Sequence, residues 1–383
     1  MIILTTSNAG ISFLPFCDTF ILLIQTKINT MANYHIKLTP VDTFFFGGEK
    51  HVEKDGKLET NYFVESNMYP QQTTLLGLLR YYLLLKNPTV FESNKIIDKR
   101  KAAEIIGPSS FDYNTPPDNF GKITSIGPLY FQYNDQSYFY APLDIEFEME
   151  KFQLKKVKDN KKTDYNAKDH YNNICQYLIS GSGKTVKLSD IISDVPHVGN
   201  EKAEKGISKE EKENKFYKQN AKMMKHGWCF CFDAEIADGA GVIDTDDFFI
   251  PFGGEKSFFK MEVKKQPPAS FSLFDSFKRD TPFILCVSDC FVMSDILKHT
   301  SLAVNRYVSF RNIQSKVEET KKYSGLSQTG DKQLSRSKRY NLLQRGSILY
   351  FEDIKKRDEV KKLIEANDKE HCKTIGFNKI LTR

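Results

Sequence analysis

The 383-residue chain is poor in the residues from which common catalytic centres are built. It holds seven histidines, seven cysteines and one tryptophan. No two cysteines form a Cys-x-x-Cys pair and no histidines stand at a metal-ligand spacing, which excludes the usual zinc patterns. Gly-x-Ser-x-Gly, His-Glu-x-x-His and a clustered Asp/Glu/His set are all missing, so no metal centre, cofactor or serine-nucleophile elbow is expected. Cys229 and Cys231 share one face of a strand, and Cys286 and Cys290 are four apart. This pattern reads as reduced, buried thiols in a cytoplasmic protein. Long apolar runs are also missing. Ile11 to Ile24 is too short to span a bilayer as a helix, lacks a preceding basic region and shows no cleavage site, so no membrane partner is expected. Met31 then opens a clean strand pattern, and residues 1–30 are expected to be a non-native or disordered extension, with a signal peptide as the alternative.

What is present suffices for one large or two modest cores: 40% of the residues are hydrophobic and 13% aromatic. The formal net charge is +6, which permits a nucleic-acid partner without requiring one.

Tyr34 to Phe46 alternates and is rich in aromatic and branched residues, which predicts a strand. Thr73 to Leu85 starts at a threonine cap and runs apolar for three turns, predicting a buried helix. A close backbone contact or chance accounts for its Gly77. Ile123 to Phe147 predicts two strands around Asn134-Asp135. Residues 151–226 are polar, with one apolar island near Ile174 to Ile179, and are expected to form a partly helical surface insertion. Trp228 to Ile236 and Asp246 to Val263 return to a strand pattern. The last third reads strand (Pro282–Val287), short helix (Ser294–Ser301), strand (Ala303–Phe310), basic segment, strand (Ser347–Phe351), helix (Asp353–Ala366), strand (Thr374–Leu381). That is the β-α-β-β-α-β order of a ferredoxin-like unit. The first half opens in the same order, with its second helix expected inside the polar insertion. The predicted fold is α+β, two tandem ferredoxin-like domains, at 31–265 and 266–383.

Three motifs bear on chemistry. Gly181-Ser182-Gly183-Lys184-Thr185 resembles a phosphate-binding loop, but the required earlier glycine is Leu178 and no apolar strand feeds it. Phe46-Gly47-Gly48-Glu49-Lys50 recurs as Phe252-Gly253-Gly254-Glu255-Lys256. Paired glycines allow close backbone approach to a ligand; chance and shared function both account for the echo. The segment after the Ala303–Phe310 strand, about 311–345, is basic: Arg306, Arg311, Lys316, Lys321, Lys322, Lys332, Arg336, Lys338, Arg339 and Arg345, with Tyr307, Phe310, Tyr323 and Tyr340 interleaved. Cations contact phosphates and aromatic rings stack unpaired bases. His35 and His51 flank the first strand and are the candidates for metal-free RNA cleavage.

Several segments, in order, resemble the RAMP-superfamily proteins of type III CRISPR-Cas effectors, most closely the Cas5-like subunit of type III-B complexes. They are Leu38–Phe46, Tyr69–Arg80, Ile126–Phe131, Tyr140–Asp144, Gly253–Lys256, Arg345–Phe351 and Gly376–Asn378. The resemblance implies a non-catalytic, cytoplasmic subunit that holds the 5′ tag of the crRNA. It also implies contact with the large polymerase-like subunit and with the backbone subunit of the filament, and indirect engagement of target RNA. Carried over, Phe45, Phe46 and Gly47 lie near the RNA path, Arg80 closes the helix motif, and Gly254 and Lys256 belong to the second glycine loop. Two departures stand out: Gly47 replaces the family's arginine, and Lys256-Ser257 replaces its paired arginines. The basic segment, with Arg306, Arg311, Arg336, Lys338, Arg339 and Arg345, is therefore the better candidate RNA surface. A metal-independent endoribonuclease of the same superfamily is the alternative.

Overall fold

A computed structural model describes residues 31–47, 53–54, 57–58, 62–115, 117, 119–158, 161–164, 176–200, 216–242, 246–255, 257–269, 280–292, 295–317, 335–367 and 369–383. The expected extension at residues 1–30 lies outside them.

The first strand, β1 (Met31–Pro40), is followed by helices α1 (Gln72–Leu85) and α2 (Lys99–Ile106). Helix α1 is apolar on nearly all sides and accordingly buried, with Leu75, Leu79, Tyr82, Leu83 and Leu84 within the core. Its N-cap is Gln71, not a threonine, and no side chain caps it. Gly77 has no atom near the position of a Cβ, so no close contact accounts for it. Helix α2 is capped conventionally: the Asp98 carboxylate accepts from the Lys101 N–H at 3.0 Å.

Strands β2 (Ile123–Ile126), β3 (Tyr130–Tyr133) and β4 (Gln136–Tyr140) come next. Asn134 and Asp135 join β3 to β4 with φ of 47° and 60°, the left-handed pair of a tight hairpin turn. Where it is described, the polar insertion holds no α-helix, only a single 3₁₀ turn at Leu188–Asp190. It contributes strands, including the hairpin β5 (Ile192–Asn200) and β6 (Phe216–Met224). Lysine-, asparagine- and aspartate-rich strands lack the apolar alternation that would have marked them. Strands β7 (Trp228–Ala237), β8 (Asp246–Pro251) and β9 (Phe258–Lys265) complete a nine-stranded sheet that runs from β8 through β9, β1, β7, β3 and β4 to the short strands Tyr177–Ser180 and Thr185–Lys187, with β2 also beside β7. All of these neighbours are antiparallel. No α-helix occurs among the described residues of the insertion, where the second helix of this half was expected, and β8 forms a hairpin with β9.

The C-terminal half holds β10 (Phe283–Cys286), a short 3₁₀ turn (Ile296–His299), β11 (Leu302–Val304), β12 (Ile348–Tyr350), helix α3 (Ile354–Asn367) and β13 (Ile380–Thr382). Its sheet order is β11–β12–β10–β13. Strands joined through a helix are thus separated by another strand, the split β-α-β arrangement. The expected strand over 374–379 is instead the end of a short helix, Glu370–Thr374, and a connecting loop.

Side-chain alternation sorts the core into layers. Ile36, Leu38, Phe230 and Phe232 face α1 and α2. On the sheet's opposite face, Tyr130, Cys229 and Cys231 pack against Phe283, Leu285, Ile348 and Tyr350 of the C-terminal sheet. Ile284, Cys286 and Leu349 face α3 through Val360 and Ile364. No helix among the described residues is long and apolar enough to cross a membrane.

Candidate nucleic-acid interface

Two segments distant in sequence meet at the ends of β1 and β9. The N–H of Gly254 donates to the carbonyl of Phe45 at 2.7 Å. The Ser257 hydroxyl accepts from the N–H of Phe45 at 3.0 Å and donates to the carbonyl of Gly254 at 2.7 Å. The Ser66 hydroxyl accepts from the N–H of Phe46 at 2.8 Å. Phe46 and Phe252, the first residues of the two Phe-Gly-Gly echoes, meet edge to face at 5.2 Å between centroids. The repeated motif therefore closes on its own copy. Gly253 makes this approach possible: its φ is +91°, and a Cβ there would stand 2.6 Å from the Phe45 carbonyl oxygen. Glu255 follows at φ 53°, a conformation uncommon for a residue with a side chain.

Beside this junction lies an open groove of about 340 Å³, lined by Thr43, Phe44, Phe45, His197, Val198, Gln219, Ala221, Glu255 and Ser257. One wall is the β5–β6 hairpin, which is backbone-bonded to Phe44 through Lys222 at 2.8 and 2.9 Å. Phe45 and Phe46 are themselves buried, whereas Gly47 is exposed. The two phenylalanines hold the groove in place and do not offer open rings for stacking. Gly48, Glu49, Lys50 and Lys256 lie outside the described residues, as does His51.

The basic residues divide into two classes. Arg336, Lys338 and Arg339 are exposed, on and just after a short strand paired with Ile313–Gln314. Arg306 and Arg311 are half-buried, and Arg311 Nε donates to the Ser337 carbonyl at 2.9 Å. Tyr307 beside them is exposed, and Phe310 is fully buried. Residues 318–334, with Lys321, Lys322, Tyr323 and Lys332, fall outside the described part.

Arg80 and Arg345 depart from the expected RNA surface. Arg80 is buried, donates to the Ser109 carbonyl at 2.8 Å and lies over the Phe120 ring. Arg345 is wholly buried in a paired contact with Asp289. A buried guanidinium needs a carboxylate or carbonyl partner. Both partners here are far away in sequence, so local reading could not find them. The same holds for the Tyr69-Pro70-Gln71-Gln72 motif. Gln72 Nε2 donates to the carbonyls of Gly127 at 3.0 Å and Ile375 at 2.8 Å. Gln71 reaches the Ser309 carbonyl at 3.3 Å. The motif staples the two halves together.

The cleavage candidate His35 is buried. Its Nδ1 lies 2.9 Å from the Tyr130 hydroxyl and 3.2 Å from the Asp233 carboxylate. Burial, reinforced by the charge of Asp233, pushes the Tyr130 hydroxyl well above its ordinary pKa, so it stays protonated. Asp233 also accepts from the Ala269 N–H at 2.8 Å. A histidine enclosed in this way has no route to a phosphodiester. A strand, Tyr177–Ser180, does feed the phosphate-loop look-alike, contrary to expectation, but the loop is a turn joining it to the strand Thr185–Lys187, and no α-helix follows among the described residues to present N–H groups. The five described cysteines are all buried and free, and no metal-binding cluster occurs among the described residues.

Comparison with known proteins agrees with the resemblance read from the sequence. Residues 36–167 match the model of a CRISPR-associated protein family, Cas_Cmr3. No curated protein matches. Among solved structures, a chain of a type III-B Cmr-beta complex bound to cognate target RNA aligns over 91% of this chain and 96% of its own, with 12% identity and a TM-score of 0.48. The same complex with target RNA and AMPPnP gives 13% identity and a TM-score of 0.46 over the same shares. A chain of a Csm3-Csm4 subcomplex of a type III-A interference complex covers 84% of this chain and 94% of its own, at 15% identity and a TM-score of 0.33.

Proposed function

We propose that this chain is a non-catalytic subunit of a type III-B RNA-guided effector in antiviral defence, one that holds the 5′ tag of the crRNA. In this reading it bridges the large polymerase-like subunit to the backbone filament and meets target RNA only through the assembly. The family match over residues 36–167 supports membership in such an effector. The observation that carries the guide-holding role is the junction of the two Phe-Gly-Gly loops, Phe45 against Gly254, beside an open groove. The polar side chains of Thr43, His197 and Gln219 along it suit a nucleotide strand that must be gripped without being cut. Arg336, Lys338 and Arg339 form the exposed basic surface that would contact phosphates, with Arg306 and Arg311 behind them. The same reading divides the chain into units at 31–265 and 266–383.

The endoribonuclease alternative needs a histidine able to reach RNA, and the burial of His35 counts against it. The deciding experiment is co-purification with the products of neighbouring genes, followed by 5′-end mapping of the bound RNA. Short RNAs sharing one 5′ tag, unchanged in His35→Gln and His51→Ala variants, are expected. An assembly without RNA, or uncut precursors in either variant, would overturn the reading.

A further inference from the structure

The central sheet has a face turned away from α1 and α2, and the C-terminal sheet covers only part of it. Cover extends over Tyr130, Cys229 and Cys231. The same face continues across β1, β9 and β8, and there it opens. Phe249 is 66% exposed, Phe258 49% and Val41 57%. Large aromatic side chains left this open on a sheet call for a partner. Neither phenylalanine has a ring contact among the described residues.

Register fixes their geometry. Phe249 stands opposite Lys260, and Phe258 opposite Pro251. The two rings are therefore diagonal neighbours on one face, at a spacing of about 7–8 Å between backbone positions. Lys37, Lys260 and Lys264 share that face, opposite Glu262, Thr39 and His35 respectively. Its carboxylates, Asp247 and Glu262, both lie on the Lys260 ammonium, at 2.8 and 3.5 Å. Lys37 and Lys264 form no ion pair among the described residues and remain available to an anion. Phe258 follows Ser257 directly, so the face begins where the groove ends.

We infer that this open face is a second RNA-binding surface, on which two unpaired bases stack on Phe258 and Phe249 while Lys37 and Lys264 meet the backbone phosphates. Sheets bind single-stranded RNA in this way when aromatic rings stand beside cations on the side away from the helices. Two lysines with no ion pair among the described residues, beside two exposed rings, favour RNA over a protein surface. The inference rests on the reading that the chain handles RNA, but on different residues from the glycine-loop groove and Arg336 to Arg339.

The test is binding of the purified full chain to a short fluorescent single-stranded RNA, with crosslinking through photoreactive uridine. Phe249→Leu and Phe258→Leu are each expected to weaken binding about tenfold, since leucine keeps the apolar area but not the stacking. Phe249→Tyr and Phe258→Tyr are expected to retain it, and crosslinks should fall within β8 and β9. Leucine variants that bind like the parent, with crosslinks only at the groove or at Arg336–Arg339, would overturn the inference and leave the guide-holding reading intact. Crosslinks confined to β8 and β9 would uphold it and count against that reading. Leucine variants that lose a co-purifying protein while keeping RNA affinity would make the face a protein-docking surface and overturn it.

Discussion

Arg345 and Asp289 form a fully enclosed ion pair at the seam between the two halves. Arg345 Nη2 lies 2.9 Å and Nε 3.2 Å from the two carboxylate oxygens of Asp289, and the Arg345 backbone N–H adds a third bond at 2.9 Å. Both residues come from the C-terminal half. The guanidinium lies against two N-terminal rings, Tyr69 at 4.5 Å and Tyr140 at 5.1 Å, which themselves meet edge to face. Burial pushes both phenol hydroxyls far above their ordinary range, so the rings stay neutral and add no competing charge. Removing one partner strands the other charge in the interior, which costs about 3–5 kcal/mol. Asp289→Ala is therefore expected to lower the urea-unfolding free energy by that amount. Arg336→Ala, at an exposed site, should change it by less than about 0.5 kcal/mol. Equal effects would remove the distinction between the structural and the surface arginines.

That pair also shows where sequence reading stops. The C-terminal order was legible from Phe283 to Ile364, with a 3₁₀ turn at Ile296–His299 standing for the first helix, while the last strand begins later than its apolar pattern suggests. Helix α1 was legible because an apolar run of that length has few alternatives. Burial of Arg80 and Arg345 was not legible, because the acceptors, Ser109 and Asp289, are far from them in sequence. The hairpin β5–β6 was hidden by composition. Its Lys222 reads as surface charge, yet it is buried between Asp194 and Glu65. Of the candidate site, the glycine echo was visible in sequence, and its closure on itself was not.

The glycine loops give a sharp contrast. Gly253→Ala puts a Cβ against the Phe45 carbonyl and forces an alanine into a left-handed φ, at a cost of about 1–3 kcal/mol. Melting temperature should fall, and RNA recovered with the assembled complex should fall with it. Gly181→Ala, where a Cβ meets open space at an ordinary φ, should leave both unchanged. Loss of RNA in the second variant would revive the rejected phosphate-loop reading.

His371 makes stability depend on pH. Burial, more than the nearby Lys369 charge, holds its imidazole below the ordinary value of 6.5. The unfolded chain thus takes up this proton more readily than the folded one. The contribution is complete above about pH 6.5, where both forms are neutral, and is lost as pH falls towards the lowered folded value. Urea midpoints measured on both sides of this window should drop on acidification, and the drop should be smaller in His371→Gln. An identical drop in the variant would assign the dependence to other groups.

Neutralising Arg336, Lys338 and Arg339 together tests the proposed phosphate contacts. All three are exposed, so a triple glutamine variant should fold with near-parental stability. RNA affinity should fall, and its salt dependence should flatten. Each lost contact to a single strand removes about 0.7 from the slope of log K against log salt, so three remove about 2. A weaker affinity with an unchanged slope would mean that these side chains do not meet phosphates, and the basic contacts would then belong to the segment following Val317. A flattened slope with little loss at low salt would place them at the rim of the RNA path, where they guide the strand toward the glycine-loop groove.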